Sequence, residues 1–229
     1  MTIDVLSAID WWCEAGVDVL VDEAPRDWLT VVRPAATVTA AEPVTASPVA
    51  DSLTAIQTLY ASDPIFGPVN GRLAPAGDVA SGLMLLCDQP EPGDAEAGQI
   101  IAGAAGMLLD RMLAAIGRDR ASIYLATMTP ARVPGGRPSP KSLAAWSDLA
   151  HRHVDLAAPK ALLLFGDAAS RAFLGVSLAD ARGTVHHLNR EGRRIAAVAT
   201  FHPRFLLQQP ARKADAWRDL RLLLGEVSQ

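Results

Sequence analysis

Short apolar runs alternate with amphipathic segments along the last two thirds of the chain. Four runs have the length of a strand and few polar positions, as expected for strands buried on both faces of a sheet. They are Leu83–Cys87, residues 122–126, Ala161–Phe165 and residues 194–199. Between and after them, apolar residues recur three and four apart, which predicts helices at 106–116, 141–156, 168–174 and 211–224. This alternation predicts an α/β fold, a three-layer α/β/α domain around a central four-stranded parallel sheet.

The pattern differs before residue 80. Apolar spacing predicts helices at residues 3–15 and 17–21, whereas residues 34–50 are rich in Ala, Thr, Pro and Val and predict an extended linker. Asp51 or Ser52 is the expected cap of a further helix that runs through Ala61. The predicted organisation is an N-terminal helical segment at 1–33, a linker at 34–50 and a main domain at 51–229.

Composition narrows the class of protein. No apolar run approaches the roughly 18 to 20 residues that a membrane helix needs, and the N-terminus lacks the basic region of a secretory signal. The chain has only 2 cysteines, which is no disulfide framework and favours a reducing cytoplasm. Its 5 histidines do not stand at ligand spacings together with cysteines, so no metal site is predicted.

The net charge of −4 hides an asymmetry between the two halves of the chain. Residues 1–110 contain 3 Lys and Arg against 16 Asp and Glu, whereas residues 111–229 contain 18 against 9. Of those 18 basic residues, 15 are Arg, whose forked guanidinium suits phosphate better than Lys does. The basic half is either an ordinary solvated surface or a surface for a polyanion such as DNA.

Three loops that follow predicted strands have unusual compositions, at residues 87–98, 127–140 and 200–210. In open α/β sheets, ligands bind at the carboxyl ends of the strands. In the third loop, His202 follows a buried run and is clamped by Pro203. This histidine either caps a carbonyl at the strand exit or faces a substrate as a hydrogen-bond donor or cation.

Five segments, taken in order, resemble the family 4 uracil-DNA glycosylases, and together they span roughly residues 65–225. The first, residues 98–113, reads G-x-x-x-x-G-x-A-G-x-L-L-D-x-M-L. The others are Tyr124–Thr127 with the basic stretch at 132–137, Arg182 with Gly183, the T-F-H-P stretch at 200–210, and residues 213–220. No single segment is specific, but their order and spacing are.

The resemblance implies an enzyme that hydrolyses the N-glycosidic bond of a deaminated base flipped out of DNA. It assigns His202 as the donor that stabilises the departing base, and Asp88 as the carboxylate that orients water or stabilises a cationic sugar. The expected partner is DNA containing a damaged base, with a repair protein as a further candidate, and the chain is expected to act as a monomer.

The resemblance also places the base pocket on Gln89, Pro90, Ile101 and Thr127. Ile101 stands for a stacking phenylalanine and lacks its π-face. Thr127 stands for the asparagine that reads uracil, and one hydroxyl replaces only part of an amide's hydrogen bonding. Glu91 stands for a glycine and adds bulk and negative charge where a backbone should approach DNA.

The predicted DNA contacts are Gly103, Gly106, Arg132, Arg137, Pro203 and Arg204. The two glycines open a helix, whose amides either bind a phosphate or belong to a tight helix–strand packing. The loop with Arg132 and Arg137 is either solvated or in contact with the DNA backbone. Arg204 stands for a serine or alanine, and it either adds a phosphate contact or blocks the groove.

The [4Fe-4S] cluster of the family is predicted to be absent, so no cofactor is expected. Four cysteines hold such a cluster, whereas residues 63–75 contain none and the whole chain contains 2. Ala131 and Trp146 stand at two downstream positions where family cysteines often lie. We expect these two side chains to pack in place of the cluster.

Two functions are therefore consistent with the sequence. The first is a cytoplasmic uracil-DNA glycosylase-like hydrolase of base-excision repair. The second is a glycosylase-fold protein that has lost hydrolysis and binds DNA or a repair partner. The departures from the family concentrate in the pocket while the scaffold matches, as either a changed or a lost activity would produce.

Overall fold

A six-stranded sheet lies at the centre of the computed structural model, which describes residues 50–67, 69–133 and 139–227. The strands are β1 (Ala76–Gly77), β2 (Leu83–Cys87), β3 (Tyr124–Thr127), β4 (Ala161–Phe165), β5 (His186–Arg190) and β6 (Arg193–Thr200), in the order β1-β3-β2-β4-β6-β5. The four central strands are parallel, as predicted. Two strands that the sequence did not predict, β1 and β5, each add an antiparallel strand at one edge of the sheet.

Helices cover both faces of this sheet. They are α1 (Leu53–Ser62), α2 (Asp94–Ala97), α3 (Gly103–Ala115), α4 (Pro140–Ala157), α5 (Asp167–Leu174), α6 (Leu178–Ala181), α7 (Pro203–Gln208) and α8 (Lys213–Val227). Ser52 is the cap of α1, since its side chain accepts from the backbone N–H of Ala55 at 3.1 Å. In the described part of the chain, no helix combines the length and the apolar character needed to cross a bilayer.

Successive side chains along the central strands point to opposite faces of the sheet, so the core consists of two layers. On one face, Met84 and Leu86 of β2 pack with Tyr60 of α1 and with Trp146 and Val154 of α4. On the other face, the alternate strand residues pack against α3 and α8. These are Leu83, Leu85, Cys87, Leu125, Phe165 and Val198. The predicted three-layer α/β/α arrangement is confirmed.

Several predictions fall on residues that the structure does not describe. The helices predicted at 3–15 and 17–21, the linker as far as residue 49, and Arg137 lie outside the described ranges. The described residues all belong to one compact unit, Pro48–Gln229.

Candidate active site

The candidate site lies where the four parallel strands end together. Cys87 is paired with Thr127 and with Phe165, and Phe165 is paired with Thr200, so the last residues of β2, β3, β4 and β6 form one row. The three loops predicted to carry function leave this row at the same carboxyl edge. The register of the sheet thus brings the loops after β2, β3 and β6 to one place.

His202 is the second residue after β6, and it caps the short helix α7. Its Nδ1 atom accepts from the backbone N–H of Arg204 at 3.2 Å, and Pro203 takes the first helical position, where no N–H is needed. The ring lies edge-on to Phe165, with 5.8 Å between the ring centroids. The sequence left open a histidine that caps a carbonyl or one that faces a substrate. The ring caps a backbone N–H instead of a carbonyl, and this contact uses only Nδ1.

The second ring nitrogen of His202 is the chemically available one. Nε2 is buried and has no hydrogen-bond partner among the described residues. Since Nδ1 accepts, the proton of the neutral ring resides on Nε2. Burial, and next the positive charge of Arg204, lower the pKa of His202 from 6.5 to about 4, so the ring is neutral at pH 7. His202 therefore presents a neutral N–H donor.

Two carboxyl groups follow β2. Asp88 is half-buried, and burial raises its pKa, against the positive charges of Arg204 and Arg132 and the hydrogen bonds from nearby backbone amides. Glu91 is buried, and burial likewise raises its pKa, with Arg204 and Arg132 opposing. Acidic and basic side chains thus converge on the strand exit next to His202.

Glu91 links His202 to Arg204. Its Oε2 lies 2.8 Å from Nε of Arg204, and its Oε1 lies 3.6 Å from Nδ1 of His202. The short contact is an ion pair without an aligned hydrogen bond, since Oε2 has no hydrogen-bond partner. The longer contact exceeds hydrogen-bonding distance. Glu91 was noted in the sequence only as a departure from the family, and the structure places it within the site.

Asp94 organises the loop between Asp88 and α3, although the sequence analysis did not single it out. Its carboxylate accepts from the backbone N–H groups of Glu91 at 2.8 Å, Ile101 at 2.8 Å and Ala102 at 2.7 Å. Its side chain is almost fully buried in the turn. Aspartate side chains often accept from backbone N–H groups in turns, but no motif in the sequence distinguishes this aspartate from the others.

Ile101, predicted to line the base pocket, has a backbone conformation that is unusual for its residue type. Its φ is +52°, which is rare for a β-branched residue, and the side chain is fully buried. Asp94 holds its N–H, and Arg120 donates to its carbonyl at 2.7 Å. The strained backbone is therefore fixed on both sides, and the Ile101 side chain belongs to the core layer of α3 and α8.

Contacts between Gln89, Pro90 and the β3 exit loop join two of the site loops. The Gln89 side-chain oxygen accepts from the N–H of Val133 at 3.2 Å, and Arg132 donates to the Pro90 carbonyl at 3.1 Å. Arg132, predicted to bind DNA, thus also ties the two loops together. Arg137 of the same loop lies outside the described residues.

Thr127 ends β3 with a buried side chain whose Oγ1 atom has no partner among the described residues. Alternation along β3 places it on the same face as Leu125, which belongs to the core layer of Ile101. Its carbonyl accepts from the hydroxyl of Tyr60 at 2.8 Å. An unsatisfied buried hydroxyl at a strand end is a candidate for ligand recognition.

The two glycines at the start of α3 differ. Gly103 has φ +58° and open space around it, whereas a Cβ on Gly106 would lie 2.4 Å from the carbonyl oxygen of Ile101. Gly106 also donates its N–H to Ala102 at 2.9 Å. Close packing, the alternative noted from the sequence, accounts for Gly106, and phosphate binding stays a prediction for Gly103.

Asp219 ties the end of β6 to α8. Its buried carboxylate accepts from the Thr200 hydroxyl at 2.7 Å, from Arg182 at 2.9 Å and from the N–H of Gly183 at 3.2 Å. The Arg182 guanidinium stacks on the Phe201 ring, 4.0 Å from its centroid. These residues, which carry part of the resemblance, support the His202 loop structurally.

Four parallel central strands flanked by helices define an α/β protein, the class in which ligands typically bind at the carboxyl ends of the strands. Within that class, the family described as "Uracil DNA glycosylase superfamily" matches residues 74–221, and the chain belongs to that superfamily.

Two similar proteins are both described as type-4 uracil-DNA glycosylase. The one from Pyrobaculum aerophilum is 24% identical over 156 residues, which cover 65% of this chain and 80% of that protein. The one from Archaeoglobus fulgidus is 24% identical over 158 residues, which cover 66% of this chain and 79% of that protein. The resemblance inferred from the motifs is confirmed.

The residues present do not fit the iron–sulfur cluster of the family. Cys87 is the free cysteine of the described residues, and its side chain lies in the core layer of α3 and α8. Trp146, at a family cysteine position, is buried in the opposite layer. The chain contains 2 cysteines, and Cys87 lies on the opposite side of the sheet from Trp146, so four thiolates cannot be supplied to a cluster.

Proposed function

We propose that this protein hydrolyses the N-glycosidic bond of a deaminated base, uracil first among the candidates, that is flipped out of DNA. The observation that carries the proposal is the buried, unpartnered Nε2 atom of His202 at the carboxyl edge of the sheet. The superfamily supports a substrate in DNA. The glycosidic bond is inaccessible inside a stacked duplex, so the base must leave the stack first.

In the proposed reaction, the bond between the base nitrogen and the sugar C1′ breaks, and its electron pair leaves with the base. The negative charge spreads onto the pyrimidine O2, where the Nε2–H of His202 donates a hydrogen bond. A ring with a pKa of about 4 is neutral at pH 7, so it acts as a fixed donor. Donors of this oxyanion type contribute about 100- to 1,000-fold in rate.

Asp88 is assigned to the sugar side of the reaction. Its carboxylate stabilises the cationic sugar and orients a water molecule towards C1′. The water oxygen bonds to C1′, one water proton passes through Asp88 to solvent, and the base anion takes up a proton from solvent. Burial raises the pKa of Asp88, which makes it a better proton acceptor than an exposed aspartate.

The base pocket is assigned to Ile101, Thr127, Gln89 and Pro90. Ile101 supplies an apolar wall, and the free Oγ1 of Thr127 supplies one hydrogen-bonding group. Arg132, Pro203, Arg204 and Gly103 remain the candidates for contact with the DNA backbone. We propose that the protein acts as a monomer on damaged DNA in a reducing cytoplasm, which the scarcity of cysteine supports.

One observation favours a second function. The ion pair of Glu91 and Arg204 places a carboxylate beside His202, where the phosphate backbone of a flipped nucleotide would come close. Like charges disfavour that approach. In the second function, a flipped nucleotide does not enter this site, and the protein binds DNA or a repair partner through the same fold without cleaving the glycosidic bond.

A cleavage assay separates the two functions. Single- and double-stranded oligonucleotides that contain uracil, hypoxanthine or xanthine are incubated with the protein and then treated with alkali. Strand scission by the wild type that His202→Ala abolishes supports the hydrolase. No scission of any substrate, with salt-sensitive binding to undamaged DNA, contradicts it and supports the binding protein.

A further inference from the structure

A buried tyrosine connects the core layer of α1 to the candidate base pocket. Tyr60, in the last turns of α1, is almost fully buried, and its hydroxyl donates to the carbonyl of Thr127 at 2.8 Å. Thr127 is the last residue of β3 and one of the proposed pocket residues. The contact spans 67 positions of sequence, so only the folded chain can make it.

The exit of β3 is in turn bonded to the loop that carries Asp88. The N–H of Met128 donates to the carbonyl of Cys87 at 2.9 Å, and the N–H of Thr129 donates to the carbonyl of Asp88 at 3.3 Å. Any shift of Thr127 is therefore passed on to the backbone of Asp88. The Tyr60 hydroxyl fixes the one strand end that both the pocket and the catalytic loop depend on.

Arg72 holds Tyr60 and the segment after it in place. Its guanidinium donates to the carbonyls of Tyr60 at 2.9 Å and Asp63 at 2.8 Å, and also to that of Gly67. It lies 5.9 Å from the centroid of the Phe66 ring, which packs edge-on against Tyr60 at 5.3 Å. One side chain thus closes the loop from residue 60 to residue 72.

The far end of this loop is also fastened to the β3 exit. The N–H of Leu73 donates to the carbonyl of Pro130 at 2.8 Å. The segment from Tyr60 to Leu73 is therefore bonded at both ends to residues 127–130. It overlaps the segment in which the family resemblance would place cluster cysteines, and Trp146 packs in the same core layer as Tyr60.

We propose that Tyr60, held by Arg72, is a positioning residue of the base pocket that fixes the exit of β3. The catalytic part of this inference rests on the proposed function, whereas the structural part does not. Tyr60 acts through the Thr127 carbonyl and touches no substrate.

The test uses Tyr60→Phe, which removes the hydroxyl and keeps the ring. Tyr124→Phe is the matched control, because Tyr124 belongs to the same core layer and its hydroxyl bonds to Nε2 of His153 at 2.8 Å instead of to a strand exit. Each variant loses one buried tyrosine hydroxyl; that of Tyr60 also lies 3.5 Å from the carbonyl of Met128. Exchange of the Met128 and Thr129 amide protons is followed by NMR, and excision by single-turnover kinetics.

In Tyr60→Phe we expect exchange of these two amides to accelerate about tenfold, as the loss of one buried hydrogen bond allows. The single-turnover excision rate falls about tenfold at unchanged DNA affinity, because misplacement acts on the reaction step. In Tyr124→Phe the amide exchange and the excision rate stay near the wild-type values. The midpoint of global unfolding should nevertheless fall by a similar amount in Tyr124→Phe and in Tyr60→Phe.

Equal amide exchange in the two tyrosine variants, or wild-type exchange in Tyr60→Phe, would overturn the inference. If the wild type excises no base, the proposed function fails, while the exchange measurement still decides the role of Tyr60. Arg72→Met is the second variant: it keeps the aliphatic stem, and it should accelerate exchange of the same two amides if the loop holds Tyr60.

Discussion

Nδ1 of His202 accepts the backbone N–H of Arg204 at 3.2 Å, and this contact decides which nitrogen of the ring can act on a ligand. A neutral imidazole has one N–H, so acceptance at Nδ1 leaves the proton on Nε2. The Oε1 atom of Glu91 lies 3.6 Å from Nδ1, too far for a hydrogen bond that would reverse this assignment. A short helix cap thus orients the proposed catalytic donor.

Replacement of His202 by alanine should lower excision by about 100- to 1,000-fold, because the developing base anion loses its donor. DNA affinity should change little, since the imidazole acts on the base only as the bond breaks. Single-turnover excision and fluorescence anisotropy measure the two effects. His187→Ala, an exposed histidine on the edge strand β5, is the control and should excise at the wild-type rate. Full activity of His202→Ala would remove His202 from the mechanism.

The stability of the protein should depend on pH through His202. Its folded pKa of about 4 lies below the ordinary 6.5, so between these values the unfolded chain binds a proton that the native state does not. The contribution of His202 to the free energy of unfolding is fully present above pH 6.5 and is lost as the pH falls towards 4. From pH 7 to pH 5 the loss amounts to about 2 kcal/mol.

The measurement is urea unfolding at pH 7 and pH 5 of the wild type and of His202→Asn, which keeps a good helix cap. The variant should lose about 2 kcal/mol less than the wild type over this interval. His153, whose pKa burial also lowers to about 4, contributes equally to both proteins and cancels. The same pH dependence in both would show that His202 titrates normally in the fold.

The sequence was sufficient where a signal is local. The four central strands are apolar runs, and His202 is a histidine held by a proline at the exit of such a run, so both could be predicted. The edge strand β5 alternates partly buried and exposed residues over H-H-L-N-R, which has no apolar run to reveal it. Strand β1 has two residues and too little sequence for any periodicity.

The sequence was insufficient where a feature depends on distant partners. The φ of +52° at Ile101 contradicts the preference of isoleucine and persists because Asp94 and Arg120, 7 and 19 positions away, hold its backbone. The hydrogen bond from Tyr60 to Thr127 likewise requires the assembled sheet. Nothing in the neighbouring sequence encodes either contact.

Removal of the Glu91 charge should strengthen DNA binding. In Glu91→Gln the guanidinium of Arg204 is released from its ion pair, so it can contact a phosphate. We expect affinity to rise about threefold, the scale of a partly exposed ion pair. The slope of the logarithm of the binding constant against the logarithm of the salt concentration should become steeper by about 0.9 for one added phosphate contact. Affinity is measured by anisotropy over a range of salt concentrations.

Glu191→Gln is the matched control for this measurement. Glu191 also forms an ion pair with an arginine, Arg152, at 3.3 Å. It lies in the turn between β5 and β6, before the amino end of β6, whereas His202 follows the carboxyl end of that strand. Both variants remove one negative charge. Equal changes in affinity would show that net charge alone matters, and a weaker affinity in Glu91→Gln would show that Glu91 supports the DNA-binding conformation.

Iron analysis tests the expected absence of a cluster. Protein prepared without oxygen from iron-supplemented cells should show no visible iron–sulfur absorption band and only substoichiometric iron. The physical reason is the shortage of thiolates, because the chain contains 2 cysteines and a cluster needs four ligands. A brown preparation with stoichiometric iron and acid-labile sulfide would contradict this and point to ligands other than thiolates.

Substitution of Gly106 distinguishes between two roles for this glycine at the start of α3, close packing and phosphate binding. In Gly106→Ala the new Cβ would lie 2.4 Å from the carbonyl oxygen of Ile101 and 2.9 Å from the Arg120 guanidinium. The helix must shift, which should cost about 1–3 kcal/mol of unfolding free energy. Gly225→Ala, in α8 with open space around it, should instead stabilise the protein by about 0.5–1 kcal/mol. Urea unfolding measures both changes.

Because the displaced carbonyl belongs to Ile101, excision by Gly106→Ala should fall as well. A variant of unchanged stability that binds DNA more weakly would instead assign this glycine to the phosphate backbone.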